Sequence, residues 1–172
     1  MAQGEWSVMG GSWTAIVFAG FVATVLSACV FWVFRTFDLT RFSPTSQLGC
    51  VFVGEPNVPL TETVGFLLFL ALGVSVVPAL YASLMAALGG AGWGNGLLVG
   101  LLLGAAVAVA LPLLERVSQC VKKGHLPPPG RLGLGWGRAT PWAVVAGHVA
   151  YGAVLGGVLN AFRHGPGPGP LP

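Results

Sequence analysis

The chain has 172 residues, of which 55% are hydrophobic and only 8% are charged. A soluble globular domain carries roughly 25% charged residues, so this composition excludes an ordinary soluble domain. The net charge of +3 is small and comes from residues between the apolar runs, which favours lipid headgroups as partners and argues against nucleic acid.

Four long apolar runs carry the main structural signal. They cover residues 13–34, 64–88, 97–114 and 141–162, and no charged residue lies inside any of them. A helix rises about 1.5 Å per residue, so such runs match a hydrocarbon core about 30 Å thick. Backbone groups in lipid need internal hydrogen-bond partners, which favours helices. We therefore predict an all-α fold, an integral membrane four-helix bundle that forms a single domain over residues 1–164.

The three connections between the runs differ in composition. Residues 89–96 are rich in glycine and predict a tight turn that joins helices two and three as an antiparallel hairpin. The first loop, residues 35–63, contains an apolar stretch at 48–53 that is too short to span and is expected at the interface or against a partner. The third loop carries Pro127–Pro129 and is expected to be irregular. The Gly-Pro tail at 165–172 is predicted to be disordered.

The basic residues predict an orientation in the membrane. Only Arg163 lies on the face that carries the termini and the second loop. The other seven lie in the first and third loops: Arg35, Arg41, Arg116, Lys122, Lys123, Arg131 and Arg138. Because Lys and Arg in short loops favour the cytoplasmic side, we predict cytoplasmic loops one and three, with both termini outside.

Small residues recur at helical spacing in every run. The third run has Gly96, Gly100 and Gly104, and the fourth has Gly152 and Gly156. Helices in lipid associate through close packing at such residues, so we expect the two glycine faces to meet. The result would be a tight bundle without a wide aqueous pore.

A proline interrupts the second run. Pro78 removes one backbone hydrogen bond in mid-span, so a kink is expected there. Ser75, one turn earlier, is expected to satisfy part of the freed backbone.

One polar constellation lies inside the membrane. His148 is followed at helical spacing by Gly152, Gly156 and Asn160, with Tyr151 beside it. An ionisable side chain at this depth indicates a site. Three interpretations are open: a hydrogen bond to a neighbouring helix, contact with a lipid or quinone headgroup through His148 and Tyr151, and ligation of haem or a metal.

The histidines and the motifs of known enzymes argue against a metal and against catalysis. His125 lies in a loop and His164 near the tail, so neither completes a set of metal or haem ligands with His148. No span holds paired carboxylates, and phosphate-loop, HExxH and GxSxG motifs are absent. The prediction is a protein that is not an enzyme and has no metal site.

The three cysteines, Cys29, Cys50 and Cys120, have no CxxC spacing and an odd count. Because Cys29 lies within the first span, away from the two loop cysteines, we expect free thiols. Leu26–Cys29 matches a lipoprotein cleavage box, but no Lys or Arg precedes it and the chain stays apolar after it. We expect an uncleaved first helix.

The linear pattern resembles a known family. An apolar first helix with Ala19-Gly20-Phe21-Val22-Ala23-Thr24, a Gly-Trp-Gly turn and a last helix with H-x-x-Y-G-x-x-x-G at His148–Gly156 occur in this order. The order is similar to a family of small, functionally uncharacterised bacterial four-helix membrane proteins. The similarity covers most of the chain, with the long first loop and the Gly-Pro tail as departures. It implies the fold and a multi-pass location in the bacterial inner membrane, and it supplies no activity.

The leading functional hypothesis is a non-catalytic accessory subunit of a larger respiratory or photosynthetic membrane complex, with other integral membrane subunits as partners. It is based on the small size, the absence of catalytic groups and the small-residue faces. The alternative is a protein that binds or carries a small hydrophobic ligand such as haem or a quinone. A small channel or transporter is least favoured, because charged mid-membrane sites and repeated halves are absent.

Overall fold

The computed structural model describes residues 3–56 and 58–164, with side chains described for 13–56 and 58–163. This part of the chain is all-α and contains eight α-helices. They are α1 (Gln3–Thr36), α2 (Pro44–Phe52), α3 (Pro59–Val74), α4 (Val76–Ala87), α5 (Trp93–Ala110), α6 (Leu114–Val117), α7 (Gln119–Lys122) and α8 (Thr140–His164). Short 3₁₀ segments follow α5 at Leu111–Leu113 and precede α8 at Arg131–Trp136. The predicted disorder of residues 165–172 lies outside the described residues.

Within the described residues, four helical segments are long and apolar enough to cross a membrane. They are Trp13–Thr36, Pro59–Ala87, Trp93–Val117 and Thr140–Arg163, close to the four runs predicted from the sequence. The protein is therefore a multi-pass, all-α membrane protein. The first and third loops fold together over one end of this bundle, and we call residues 37–56 and 118–139 the cap.

The contact between α5 and α8 is the most extensive between two helices of the bundle. A Cβ atom added to Gly96 would overlap the carbonyl group of Gly152, and one added to Gly152 would overlap the carbonyl group of Gly96. Gly100 and Gly104 lie in the same way against the backbone of α8 at His148 and Val145. Because no side chain separates the two backbones, dispersion contacts form along their length.

The second span bends between α3 and α4, where Ser75 interrupts the helix. Pro78 has no N–H to donate to the preceding turn, which is the physical reason for the break. Ser75 Oγ instead donates to the carbonyl oxygen of Ala71 at 2.5 Å. The bend packs on α1, since a Cβ on Gly20 would lie 2.7 Å from Pro78 Cγ.

A disulfide bond joins the two halves of the cap. Cys50 of α2 is bonded to Cys120 of α7 across a sequence separation of 70 residues, and Cys29 is free and exposed. The expectation of free thiols is therefore wrong for Cys50 and Cys120. The spacing of the cysteines does not indicate this pair, because the pairing depends on the packing of α2 against α3 at Gly49 and against α7 of the third loop.

Aromatic packing and a buried hydroxyl pair connect the cap to the spans. Trp136 is buried, its Nε1 donates to the carbonyl oxygen of Pro127 at 2.9 Å, and its ring stacks on Phe42 at 5.7 Å. Thr40 and Thr140 share a buried hydrogen bond of 2.7 Å between their hydroxyl groups. The apolar stretch at residues 48–53 thus belongs largely to a helix that covers the bundle.

The glycine contact yields a direct test of the packing. Gly152→Leu should lower the free energy of unfolding by about 1–3 kcal/mol, because the new side chain forces α5 and α8 apart. Gly157→Leu is the matched control on the same helix, since a Cβ at Gly157 would meet no atom within 4 Å. Thermal unfolding in detergent measures both. Equal losses in the two variants would contradict the close α5–α8 contact.

Candidate ligand cavity within the membrane

A cavity of about 390 Å³ lies inside the bundle. Residues of α1, α3, α4, α5 and α8 line it, and α2 covers it on the side of the cap through Pro44, Gln47 and Leu48. Small-molecule sites in proteins measure roughly 300–1,000 Å³, so the cavity has the size of a site for a small ligand. Its walls are almost entirely apolar, as a membrane-soluble molecule requires.

The cavity has an open side between α3 and α5. These two helices make little direct contact, whereas α5 packs along α8 and α3 packs along α2. Leu72 of α3 and Val107 of α5 line the cavity and are 38% and 37% exposed. The break at Ser75 separates the part of the second span that lies near α5 from the part that diverges from it. The opening therefore faces the lipid.

His148 lines the cavity from α8. Its Nδ1 lies 2.9 Å from the carbonyl oxygen of Val144, one turn earlier in the same helix. Of the three interpretations that the sequence leaves open, this contact contradicts the first, a hydrogen bond from the imidazole to a neighbouring helix. Because a carbonyl oxygen only accepts, Nδ1 carries the proton, and in the neutral ring Nε2 is left as an acceptor without a partner among the described residues.

Four hydroxyl side chains also line the cavity, and each donates its proton to a backbone carbonyl oxygen. Tyr151 donates to Gly73 at 2.6 Å and Ser27 to Gly147 at 3.0 Å. The remaining pairs are Thr24 to Gly20 at 2.7 Å and Tyr81 to His148 at 3.3 Å. Each hydroxyl proton is therefore already used in a hydrogen bond within the protein. A ligand can still bind these groups only by donating a proton to a hydroxyl oxygen.

Gln47 of α2 is the unsatisfied polar side chain of the cavity. It is 7% exposed, and its Oε1 is buried without a hydrogen-bond partner within the described residues. A buried polar group without a partner costs roughly 1–3 kcal/mol, so an apolar residue at this position would suit the fold better. The carboxamide is therefore the clearest sign that the cavity is built to hold a polar group of something else.

These groups define what the cavity can bind. Gln47 Oε1, His148 Nε2 and the hydroxyl oxygens all accept hydrogen bonds, and only the Gln47 amide adds donors. The arrangement suits a largely apolar molecule with a hydroxyl group that donates. Haem fits poorly, because His148 is the only histidine among the residues that line the cavity, and no cysteine or methionine stands with it there.

The structure divides the residues predicted as a site into two groups. His148 and Tyr151 line the cavity, whereas Gly96, Gly100, Gly104, Gly152 and Gly156 form the α5–α8 contact, with Gly156 against the Gly92 carbonyl group. Sequence reasoning missed Gln47 and Ser27. For Gln47 a signal existed: it is a polar residue at the start of an apolar stretch in a loop that needed a partner.

Comparison with known proteins supplies a family but no activity. The family of unknown function DUF6789 matches residues 11–168 of the chain. Neither the curated proteins nor the solved structures include a significant match. The match covers all four membrane-spanning segments and the cap. The chain is therefore a member of the DUF6789 family, whose function is unknown.

Proposed function

We propose that this protein binds a small lipophilic molecule bearing a hydroxyl group, such as a quinol, in the membrane cavity, and that it does so without catalysis. The observation that carries the proposal is the carboxamide oxygen of Gln47, which is buried at an apolar cavity without a hydrogen-bond partner among the described residues. A donating hydroxyl group would satisfy Gln47 Oε1 or His148 Nε2. The apolar remainder of the ligand would fill a volume of about 390 Å³.

The position of the opening supports uptake from the bilayer. A lipophilic molecule partitions into the hydrocarbon core, and the gap between α3 and α5 faces that core. The ligand would reach the site without crossing water, while α2 and the disulfide close the cavity on the side of the cap. This arrangement fits a binding or carrier protein better than a channel, which needs a continuous polar path.

The hydroxyl preference can be measured with two matched probes. para-Pentylphenol donates a hydrogen bond, and its methyl ether, para-pentylanisole, does not. Calorimetric titration of the purified full chain in micelles, corrected for partition into detergent, should show roughly three- to tenfold tighter binding of the phenol, the value of one net hydrogen bond. Gln47→Leu should reduce this preference and leave thermal stability unchanged or raised, because an unsatisfied buried group is removed.

Gln119→Leu is the control for the loss of a carboxamide, since Gln119 lies on α7 outside the cavity lining. It should keep the preference for the phenol. Equal binding of phenol and anisole to the unmodified chain would contradict the proposal. So would a preference that survives in the double variant Gln47→Leu/His148→Leu.

A second candidate function is the accessory subunit of a larger membrane complex. The observation that favours it is the second span, where only 17% of the most apolar window is buried within the protein. A surface this exposed suits contact with another subunit as well as with lipid. Native gel electrophoresis after gentle solubilisation tests it, and migration as a lone monomer would contradict it. The bacterial inner membrane remains an expectation from the family resemblance.

The basic residues and the disulfide bond of the cap indicate opposite orientations in the membrane. Seven basic residues in and around the cap favour the cytoplasmic side for it, whereas disulfides form in oxidising compartments and are rare in the cytosol. We give the disulfide more weight, because it requires oxidation of both thiols, while a partner can override a charge bias. We therefore propose that the cap faces outward and both termini face the cytoplasm.

Thiol labelling distinguishes the two orientations. In spheroplasts that express the Cys29→Ser/His125→Cys variant, a membrane-impermeant maleimide should label one cysteine. The reason is that His125 lies exposed on the cap, whereas Cys50 and Cys120 are bonded to each other and fully buried. Labelling that requires lysis of the spheroplasts would place the cap in the cytoplasm.

A further inference from the structure

A second recess lies on the outside of the bundle. It measures about 530 Å³ and runs between α1 and α3, so we call it the α1–α3 groove. Its floor and walls are mainly apolar and include Phe21, Val25 and Trp32 of α1 with Phe66 and Leu70 of α3. Phe21, Val25, Trp32 and Phe66 are 45–67% exposed, and they lie at membrane depth. The groove therefore faces lipid.

The end of the groove nearest the cap is polar. Arg35 lines it at the last turn of α1, next to Ser43 and Thr45 at the start of α2. Arg35 is exposed and has no ion-pair partner in the part of the chain that the structure describes. An unpaired guanidinium at the membrane interface is suited to a phosphate group, which it can bind through two hydrogen bonds.

The dimensions of the groove match one acyl chain. Phe21 and Arg35 are separated by 14 positions on α1, a rise of about 21 Å. One leaflet contributes about 15 Å of the hydrocarbon core, so an acyl chain can lie along the apolar part while its headgroup stands at Arg35. Ala28 and Cys29 keep the middle of the groove open, because neither has a large side chain.

We propose that the α1–α3 groove binds an anionic phospholipid, with one acyl chain along the apolar walls and the phosphate at Arg35. Charge complementarity selects this occupant over a zwitterionic lipid, since Arg35 has a full positive charge and no partner among the described residues to neutralise it. The groove adjoins the membrane cavity on the other side of a shared wall, which is formed by Thr24, Phe31, Pro44 and Phe69. It goes beyond the proposed binding of a hydroxyl-bearing ligand.

Native mass spectrometry of the purified, delipidated full chain tests the headgroup. The probes are dioleoylphosphatidylglycerol and dioleoylphosphatidylcholine, which have identical acyl chains and are supplied in equal amounts. The unmodified chain should retain the anionic lipid about fivefold more, the preference expected from one basic residue at the membrane surface. Arg35→Gln should abolish this preference, and Arg116→Gln, an exposed arginine near the same end of the bundle, should keep it.

A filled groove provides an independent test. Ala28→Phe places a ring in the middle of the groove and should lower retention of both lipids, while Val33→Phe on another part of α1 should not. Equal retention of the two lipids by the unmodified chain would overturn the proposal. Two other results would contradict it: an equal loss of the preference for the anionic lipid in Arg35→Gln and Arg116→Gln, or normal lipid retention by Ala28→Phe.

Discussion

The structure depends on the direct backbone contact between α5 and α8. Helices in a bilayer gain little from hydrophobic burial, because lipid tails are as apolar as the side chains that would be buried. The attraction between helices then comes from dispersion contacts at short range. Gly96 and Gly152 permit these contacts between α5 and α8, because neither residue has a Cβ. The rest of the bundle is arranged around this pair, with α1 packed on α8 and the bent second span packed on α1.

The same requirement explains where the cavity lies. The small residues Gly20 and Gly73 bring α1 and the second span together, and no comparable pair draws α3 toward α5. The proline-dependent break at Ser75 lets α3 diverge, so a space opens between helices that are otherwise closely packed. The cap then covers one end, and its disulfide holds α2, which carries Gln47, in place over the polar groups of α8. The cavity therefore lies where α3 and α5 stay apart, beside the helix pairs that pack closely.

The sequence predicted the features that depend on local pattern. Hydropathy predicts the spans because the bilayer imposes one length, and Pro78 predicts a bend because it lacks an N–H. The cap was not predicted, since the Cys50–Cys120 bond and the Thr40–Thr140 pair join residues about 70 and 100 positions apart, with no signal in spacing. The sequence left open whether His148 bonds to a neighbouring helix, and the structure shows the carbonyl oxygen of Val144, in the preceding turn of the same helix, as its partner.

We propose that the membrane cavity holds a ligand that satisfies Gln47. An experimental structure of the protein purified gently from native membranes, at a resolution that shows side chains and bound small molecules, tests this proposal. Density should fill the cavity, with a polar atom about 3 Å from the Gln47 carboxamide or from His148 Nε2. An empty or collapsed cavity, with Gln47 hydrogen-bonded to the protein itself, would contradict it.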